Sequence, residues 1–228
     1  MYSADLMLPF PISLEYVPYL WQCSDVLILL IDLDNYDTFS TEYLNRIEVE
    51  ALEKLQTGYF KKRYIVSRTI LKHVLHIITN ERRISEISTY KDGYGRVCVQ
   101  NHNELYICIS YTESIAALAI SKAEVGIDIE LVRMLALKSN LKNLRIKPSL
   151  GGEPLSETDL LRIWTLKEAY AKFSNKNLHL IFNRELDLSS VSHSTYVLDN
   201  KYILSVISSL DSHSISINRL RKIECNRD

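Results

Sequence analysis

The chain has 228 residues, of which 46% are hydrophobic and 24% are charged. This composition is enough to bury a substantial core, and it excludes an intrinsically disordered protein. The 27 basic and 28 acidic residues leave a formal net charge of -1, so no overall field attracts nucleic acid or an anionic membrane. We therefore expect neither nucleic acid nor membrane as a partner.

The cysteines and the apolar runs favour a cytoplasmic protein. The four cysteines show neither a C-x-x-C spacing nor a dense framework, as is typical of free thiols in a reducing compartment. Pro9 and Pro11 interrupt the apolar stretch near the N-terminus, so we expect no signal peptide. The longest apolar runs, such as residues 26–31, are far shorter than the roughly 20 residues that span a bilayer.

The pattern of the first half predicts one strand, two helices and a group of short strands. The aliphatic run at residues 26–32 predicts a buried strand. Between residues 41–55 and 59–78, apolar side chains recur at steps of three and four, as in amphipathic helices. Short β-rich runs separated by polar turns then predict an antiparallel sheet. These runs lie at residues 87–90, 96–99, 105–110, 115–121 and 125–130.

The second half repeats this order of elements. A polar stretch at residues 138–154 predicts a loop, and Ser156 with Asp159 predicts the start of a helix that runs to about residue 173. Further β-rich segments follow at residues 178–181, 196–198, 202–207 and 214–217. We predict an α+β fold, a pseudo-dimer of two similar halves, each a helix packed on a small antiparallel sheet. The halves would be residues 1–124 and 125–228.

A first motif with candidate functional residues is the segment VGIDIE at residues 125–130. Side chains two residues apart in a strand lie on the same face about 7 Å apart, so Asp128 and Glu130 project together. Two convergent carboxylates on a rigid strand suit Mg²⁺, which prefers oxygen ligands. The solvated face of an edge strand shows the same alternation, and for a bare D-x-E it is the commoner explanation.

A second motif is WTLKEAYAK at residues 164–172. In a helix, steps of four place Trp164, Glu168 and Lys172 on one face. By itself, the pair of Glu168 and Lys172 is more often a surface ion pair worth about 0.2 to 0.5 kcal/mol than a catalytic pair. It becomes informative only together with the first motif.

Together the two motifs resemble the signature of the 4'-phosphopantetheinyl transferase superfamily. The length, the two halves and the position of the signature resemble the surfactin-synthetase-activating type rather than the small trimeric holo-acyl-carrier-protein synthases. The resemblance covers roughly residues 58–182. It implies transfer of 4'-phosphopantetheine from coenzyme A to a serine of an apo acyl, peptidyl or polyketide carrier protein, with Mg²⁺ as cofactor and adenosine 3',5'-bisphosphate as product.

The resemblance also implies roles for residues of both motifs. Asp128, Glu130 and Glu168 would bind Mg²⁺. Glu168 would accept the proton of the carrier serine, and Lys172 would stabilise charge on the phosphates of coenzyme A. Both acids of the pair Asp128 and Glu168 would face a site rather than a core. Because one chain would hold both halves of the site, we expect a monomer.

Further stretches match the family's coenzyme A contacts less closely. Lys62 and Arg68 lie in a segment that resembles the family's N-terminal helix, where basic residues meet phosphates. Tyr94, Gly95 and Arg96 stand where the family has tyrosine, glycine and lysine, but Val97 replaces the proline that follows. We expect Lys62, Arg68, Tyr94, Gly95 and Arg96 to contact coenzyme A.

Other departures affect expected contacts. Ser110 stands where the family has serine and Tyr111 where it has histidine, and we expect both to contact coenzyme A. Asn175 and Asn177 replace glycines, and asparagine tolerates the left-handed conformation expected there. These departures leave a rival open, a degenerate homologue that binds coenzyme A or a carrier protein without catalysis. A Mg²⁺-dependent phosphotransferase or hydrolase acting on another nucleotide also remains open.

Overall fold

The computed structural model describes residues 3–36, 40–132, 156–182, 184–209 and 214–223. Within these ranges the α-helices are α1 (Val17–Cys23), α2 (Arg46–Glu53), α3 (Gly58–Thr79), α4 (Glu157–Ser174) and α5 (Leu178–Phe182). The first strands are β1 (Ser3–Leu6), β2 (Pro11–Ile12), β3 (Val26–Asp32), β4 (Thr89–Lys91), β5 (Val97–Val99) and β6 (Tyr106–Tyr111). The later strands are β7 (Ile115–Ser121), β8 (Val125–Leu131), β9 (Ser192–Leu198), β10 (Tyr202–Ser208) and β11 (Ile215–Leu220).

The strands form two sheets in a mixed α+β fold. The first sheet has the order β2-β11-β3-β7-β6-β5-β4, and the second has the order β1-β9-β10-β8. Most neighbours are antiparallel, but β1 pairs with β9, and β11 with β2 and β3, in parallel. The first and last described strands are therefore exchanged between the sheets: β1 joins the second sheet, and β11 joins the first. Both sheets are mixed, where the sequence pattern predicted purely antiparallel ones.

The core explains why the run at 26–32 is apolar without a break. Leu27 and Leu29 face the layer that contains α3, whereas Val26 and Ile28 face the second sheet. Because successive strand residues point to opposite faces, a strand buried on both sides must be apolar at every position. The resulting layers are α1 and α3, the first sheet, the second sheet, and α4.

Several predicted elements are corrected by the structure. The segment at 178–181 is the helix α5 rather than a strand, because the Asn177 side chain accepts a hydrogen bond from the His179 amide and starts a helical turn. The strand predicted at 125–130 lies in the second sheet, paired with β10. The helix predicted from 41 begins at Arg46, since Asn45 and Glu48 form a reciprocal capping box.

Other elements fall outside the sequence prediction or the described ranges. Helix α1 was not predicted, although Pro18 lies in its first turn, where proline is tolerated. The loop predicted at residues 138–154 lies outside the described residues. Among the helices in the described ranges, none is long and apolar enough to cross a membrane.

Helix α4 lies unusually close to β8 at Gly126. A Cβ atom at this position would lie 2.2 Å from the carbonyl oxygen of Ala169 and 2.5 Å from the backbone nitrogen of Phe173. Both are backbone atoms, which cannot move aside without shifting the helix. Only glycine therefore permits the spacing that places α4 above the acids of β8.

We expect Gly126→Ala to lower the free energy of unfolding by about 2 to 4 kcal/mol, because the added methyl group overpacks the contact between helix and strand. Thermal or urea denaturation measures the loss. Gly93→Ala is the matched control, since a Cβ there meets nothing within 4 Å. Equal stability of the two variants would show that α4 can move away from β8 at little cost.

Candidate functional site: a basic cleft that ends at buried carboxylates

Asp128 is the centre of the site, and it is buried. Its side chain is 3% exposed, beneath α4 on the outer face of β8. One carboxylate oxygen, Oδ1, accepts hydrogen bonds from Lys172 Nζ (2.8 Å) and Ser110 Oγ (2.7 Å). Asp128 was expected to face a site rather than a core, and in the structure it is almost fully buried. The other oxygen, Oδ2, is buried without a hydrogen-bond partner.

Glu168 brings a second acid to the same place from α4. Burial raises the pKa of Glu168 to about 8, and the charges of Asp128 and Glu130 add to the rise, while Lys172 opposes it. Carboxylates that repel one another favour a shared proton or a bound cation. The charges of Asp128 and Glu130 therefore both act on Glu168.

Lys172 supplies positive charge at this cluster. Its ammonium group donates hydrogen bonds to Asp128 Oδ1 (2.8 Å), to Ser110 Oγ (2.9 Å) and to the carbonyl oxygen of Ile127 (3.0 Å). Burial acts to lower the pKa of Lys172, but Asp128, Cys108 and Glu168 together outweigh it, and the pKa is raised. The side chain is still 32% exposed, so a charged ammonium borders the cleft.

The site fits a divalent cation in its chemistry. Among the residues that the structure describes, no three His, Cys, Asp or Glu side chains are already placed to bind a metal ion. Two observations nevertheless fit Mg²⁺: the orphaned Oδ2 of Asp128, and the raised pKa that marks an excess of negative charge at Glu168. Both groups are carboxylates, the ligands that this ion prefers.

The edge of β8 is covered by side chains of β6. The backbone N–H groups of Ile127 and Ile129 donate to Cys108 Sγ (3.3 Å) and Ser110 Oγ (3.3 Å). These bonds satisfy a strand edge that would otherwise be unpaired. Ser110 thus joins the first sheet to the acids of the second. It is buried in this network and does not line the cleft.

Beside the carboxylates lies a cleft of about 680 Å³, bounded by α3, the turn between β4 and β5, and the C-terminal end of α4. Six basic side chains line it: Arg63, Arg68, Lys91, Arg96, Lys172 and Lys176. Of the described residues along its wall, Glu168 is the only acid. The cleft therefore suits an anionic ligand of several charges whose one end reaches the carboxylate cluster.

Most of the residues predicted to contact coenzyme A come together here. The cleft is lined by Arg68, Tyr94, Gly95, Arg96 and Tyr111, with Glu168 and Lys172 at its end. Lys62 does not line it. On an α-helix Lys62 lies roughly 160° around the axis from Phe60 and Tyr64, which do line the cleft. Once the cleft-facing side of α3 is known, the helical period excludes Lys62.

Two basic residues of the cleft, Arg63 and Lys91, were missed by the sequence prediction of the site. Arg63 follows Phe60 by three residues on α3, so the helical period identifies it once the cleft-facing side is known. Lys91 ends β4 and carries no local signal, because only the packing of the hairpin against α3 brings it to the cleft. Lys176, after the end of α4, also lines the cleft.

Arg68 is fixed at the floor of the cleft by a buried polar network. The guanidinium donates to Thr89 Oγ1 (3.1 Å) and lies over the Tyr64 ring, 5.3 Å from its centroid. The Thr89 hydroxyl bonds to Glu48, which forms a buried ion pair with Lys72 (2.7 Å). The Nε atom of Arg68 has no hydrogen-bond partner. A guanidinium that is fixed in position and still has an unpaired N–H donor is well suited to bind phosphate.

Two turns shape the walls of the cleft. In the turn between β4 and β5, Asp92 Oδ1 accepts from the Arg96 amide (2.8 Å), and Gly95 adopts a φ of 91°, which requires glycine. After α4, Asn175 adopts the predicted left-handed conformation with a φ of 55°. Asn177 does not adopt it, and instead caps α5 with its side chain.

Fold and site together define a class of protein: a mixed α+β protein with two packed sheets, whose basic cleft ends at a cluster of buried carboxylates. Over 146 residues the chain is 25% identical to the 4'-phosphopantetheinyl transferase Sfp of Bacillus subtilis (strain 168). The match covers 60% of this chain and 64% of the relative, just under two thirds of the relative's length. No family model matches the chain. The similarity supports a relationship to phosphopantetheinyl transferases.

Proposed function

We propose that this protein transfers the 4'-phosphopantetheine group of coenzyme A to a serine of an apo carrier protein, with Mg²⁺, and releases adenosine 3',5'-bisphosphate. The proposal makes it a transferase of the surfactin-synthetase-activating type. The observation that carries it is the continuity of the site: Glu168 and Lys172 line the basic cleft and also interact with buried Asp128. A polyanion in the cleft would meet the carboxylate cluster at one end.

Coenzyme A suits the cleft in size and charge. Ligand sites of small molecules usually enclose roughly 300 to 1,000 Å³, and this cleft encloses about 680 Å³. The coenzyme carries a diphosphate and a phosphomonoester, which six basic side chains can neutralise. Apolar wall residues such as Ile107, Ile109 and Leu178 provide surface for the uncharged parts of the molecule.

Asp128, Glu130 and Glu168 would hold the magnesium ion. When bound, the ion would neutralise the diphosphate and orient it for displacement. The same three acids repel one another in its absence, as the raised pKa of Glu168 indicates.

The residues of the chain would assist the reaction directly. The serine oxygen of the carrier forms a bond to the β-phosphorus, and the bond from that phosphorus to the bridging oxygen breaks. Glu168 takes the serine proton, because it is the carboxylate that lines the cleft. The Lys172 ammonium stabilises charge that develops on the phosphate oxygens. Adenosine 3',5'-bisphosphate leaves with the bridging oxygen.

We also propose that the chain is a pseudo-dimer of residues 1–124 and 125–228. The order β3-β7-β6 in the first sheet matches the order β8-β10-β9 in the second. In each case a long helix, α3 or α4, follows the first of these strands along the chain. The exchange of β1 and β11 would tie the halves together. A monomer follows from this arrangement, because both walls of the cleft belong to one chain.

A second candidate is a homologue that binds coenzyme A or a carrier protein without catalysis. A specific observation favours it: the Lys172 ammonium already neutralises Asp128, and the described residues hold no ready group of three metal ligands. Under this alternative the cleft would bind coenzyme A without turnover.

Intact-mass spectrometry of apo carrier proteins incubated with this protein, coenzyme A and Mg²⁺ tests the proposal. We expect the mass of one phosphopantetheine to be added to at least one carrier, and the addition to disappear with EDTA. Calorimetric titration with coenzyme A accompanies it. Binding without any mass gain would favour the non-catalytic candidate, and absence of binding would favour an enzyme acting on another nucleotide.

A further inference from the structure

Arg63 is held in the cleft by aromatic side chains. Its guanidinium carbon lies 4.3 Å from the centroid of the Tyr111 ring, 5.2 Å from that of Tyr59 and 5.8 Å from that of Phe60. One of its nitrogens, Nη1, donates to the Tyr59 hydroxyl (3.3 Å). Such contacts restrict the side chain without consuming its charge.

The aromatic side chains are themselves anchored. The hydroxyl groups of Tyr111 and Ser67 share a hydrogen bond of 2.7 Å, and the Tyr59 hydroxyl donates to the carbonyl oxygen of Glu113 (3.1 Å). Tyr111 and Arg63 both line the cleft. The position of Arg63 is therefore prepared before any ligand binds, which lowers the entropic cost of binding.

Arg63 differs from Arg96 and Lys172 of the cleft in its charge balance. Arg96 is paired with Asp92 (3.2 Å) and Lys172 with Asp128 (2.8 Å). No carboxylate in the described part of the chain forms an ion pair with Arg63. Its positive charge is therefore not neutralised within the described protein, and it faces a cleft built for an anion.

We infer that Arg63, stacked on Tyr111, binds the phosphomonoester of coenzyme A. This inference rests on the proposed function. The diphosphate must lie beside Glu168 and Lys172 on α4 for transfer to occur. That placement leaves the phosphomonoester for the cations of α3 on the opposite wall. Arg63 is one of these cations, and its guanidinium is already held in position. A guanidinium lying over a ring keeps donors at its edge for a phosphate that carries close to two charges.

The test compares two ligands and three variants by calorimetric titration. The ligands are coenzyme A and 3'-dephospho-coenzyme A, which lacks only the phosphomonoester. The variants are Arg63→Gln, Arg63→Lys, and Arg83→Gln as the control, an exposed arginine beyond the far end of α3. Arg63→Lys keeps the charge but loses the planar group that stacks on Tyr111.

We expect Arg63→Gln to weaken coenzyme A binding at least about 10-fold, the loss of a charge-assisted hydrogen bond, and to leave dephospho-coenzyme A within about 2-fold. The affinity of Arg63→Lys for coenzyme A should lie between those of wild type and Arg63→Gln, and the affinity of the control should match that of wild type. An equal loss for both ligands, or no loss for either, would overturn the role of Arg63. If wild type binds neither ligand, the proposed function fails and this inference fails with it.

Discussion

Glu168→Gln is expected to abolish phosphopantetheine transfer and at the same time to make the metal-free protein more stable. The amide keeps the size of the side chain but removes the carboxylate that would take the serine proton, so we expect activity to fall at least about 100-fold. It also removes a charge that burial, Asp128 and Glu130 make unfavourable. At pH 8 we expect the metal-free variant to gain about 2 kcal/mol, less than the whole pKa change implies because Glu168 is partly exposed.

The gain in stability should depend on pH in a defined direction. Glu168 has a pKa of about 8 in the folded protein and of about 4.5 when it is solvated, as in an unfolded chain. Between these values the folded state holds a proton that the unfolded state has lost, so stability falls as pH rises. Wild type should therefore lose stability between about pH 5 and 8, and Glu168→Gln should not show this loss.

Urea denaturation at pH 5 and pH 8, in EDTA and in Mg²⁺, measures these effects. Mg²⁺ should stabilise wild type more than the variant, because a ligand that binds the native state stabilises it. Glu157→Gln is the control, an exposed glutamate in the first turn of the same helix. A variant that is less stable than wild type at pH 8 would show that the acids do not repel one another.

Asp128→Asn is expected to stop transfer and to destabilise the protein. Asparagine retains the shape but leaves the Lys172 ammonium without its carboxylate. We expect a loss of about 1 to 3 kcal/mol, because a partly buried charge is left unpaired. Activity should fall at least about 100-fold, since the side chain would no longer help to hold Mg²⁺ or fix the Lys172 ammonium beside the diphosphate.

A double variant separates these two effects. Asp128→Asn combined with Lys172→Gln should recover most of the stability, because neither charge is left alone, but none of the activity. The exposed pair of Arg46 and Glu50 is the matched control, and its coupling should stay below about 0.5 kcal/mol. If the double variant is as unstable as the sum of its single variants, the ion pair is not what Asp128 contributes to folding.

The secondary structure of the chain could be predicted where one pattern dominated. The unbroken aliphatic run of β3 and the steps of three and four along α3 were sufficient, and α4 was predicted from its cap at Ser156. The prediction for segment 178–181 failed because four residues cannot distinguish period 2 from period 3.6. The side chain of Asn177 decided in favour of the helix α5.

The sequence predicted which acids belong to the candidate site better than it predicted their burial and contacts. Asp128 and Glu168 were singled out by the two motifs, and the structure places them in one electrostatic cluster. The burial of Asp128 was not predictable, because α4 covers it only where Gly126 allows the helix to approach β8. Arg63 was missed, since its fixed position depends on the ring of Tyr111 on β6, which is distant in sequence.

The sequence by itself determined the order of most helices and strands, the acids of the two motifs and the balance of charge. These follow from local periodicity, capping and composition, which act between neighbours along the chain. The tertiary structure alone decided the exchange of β1 and β11, the burial of Asp128 against Lys172 and Ser110, and the meeting of six basic residues in one cleft. Each of these depends on contacts between segments far apart in sequence, and the physical reason is the packing of two sheets and their helices, which no local pattern records.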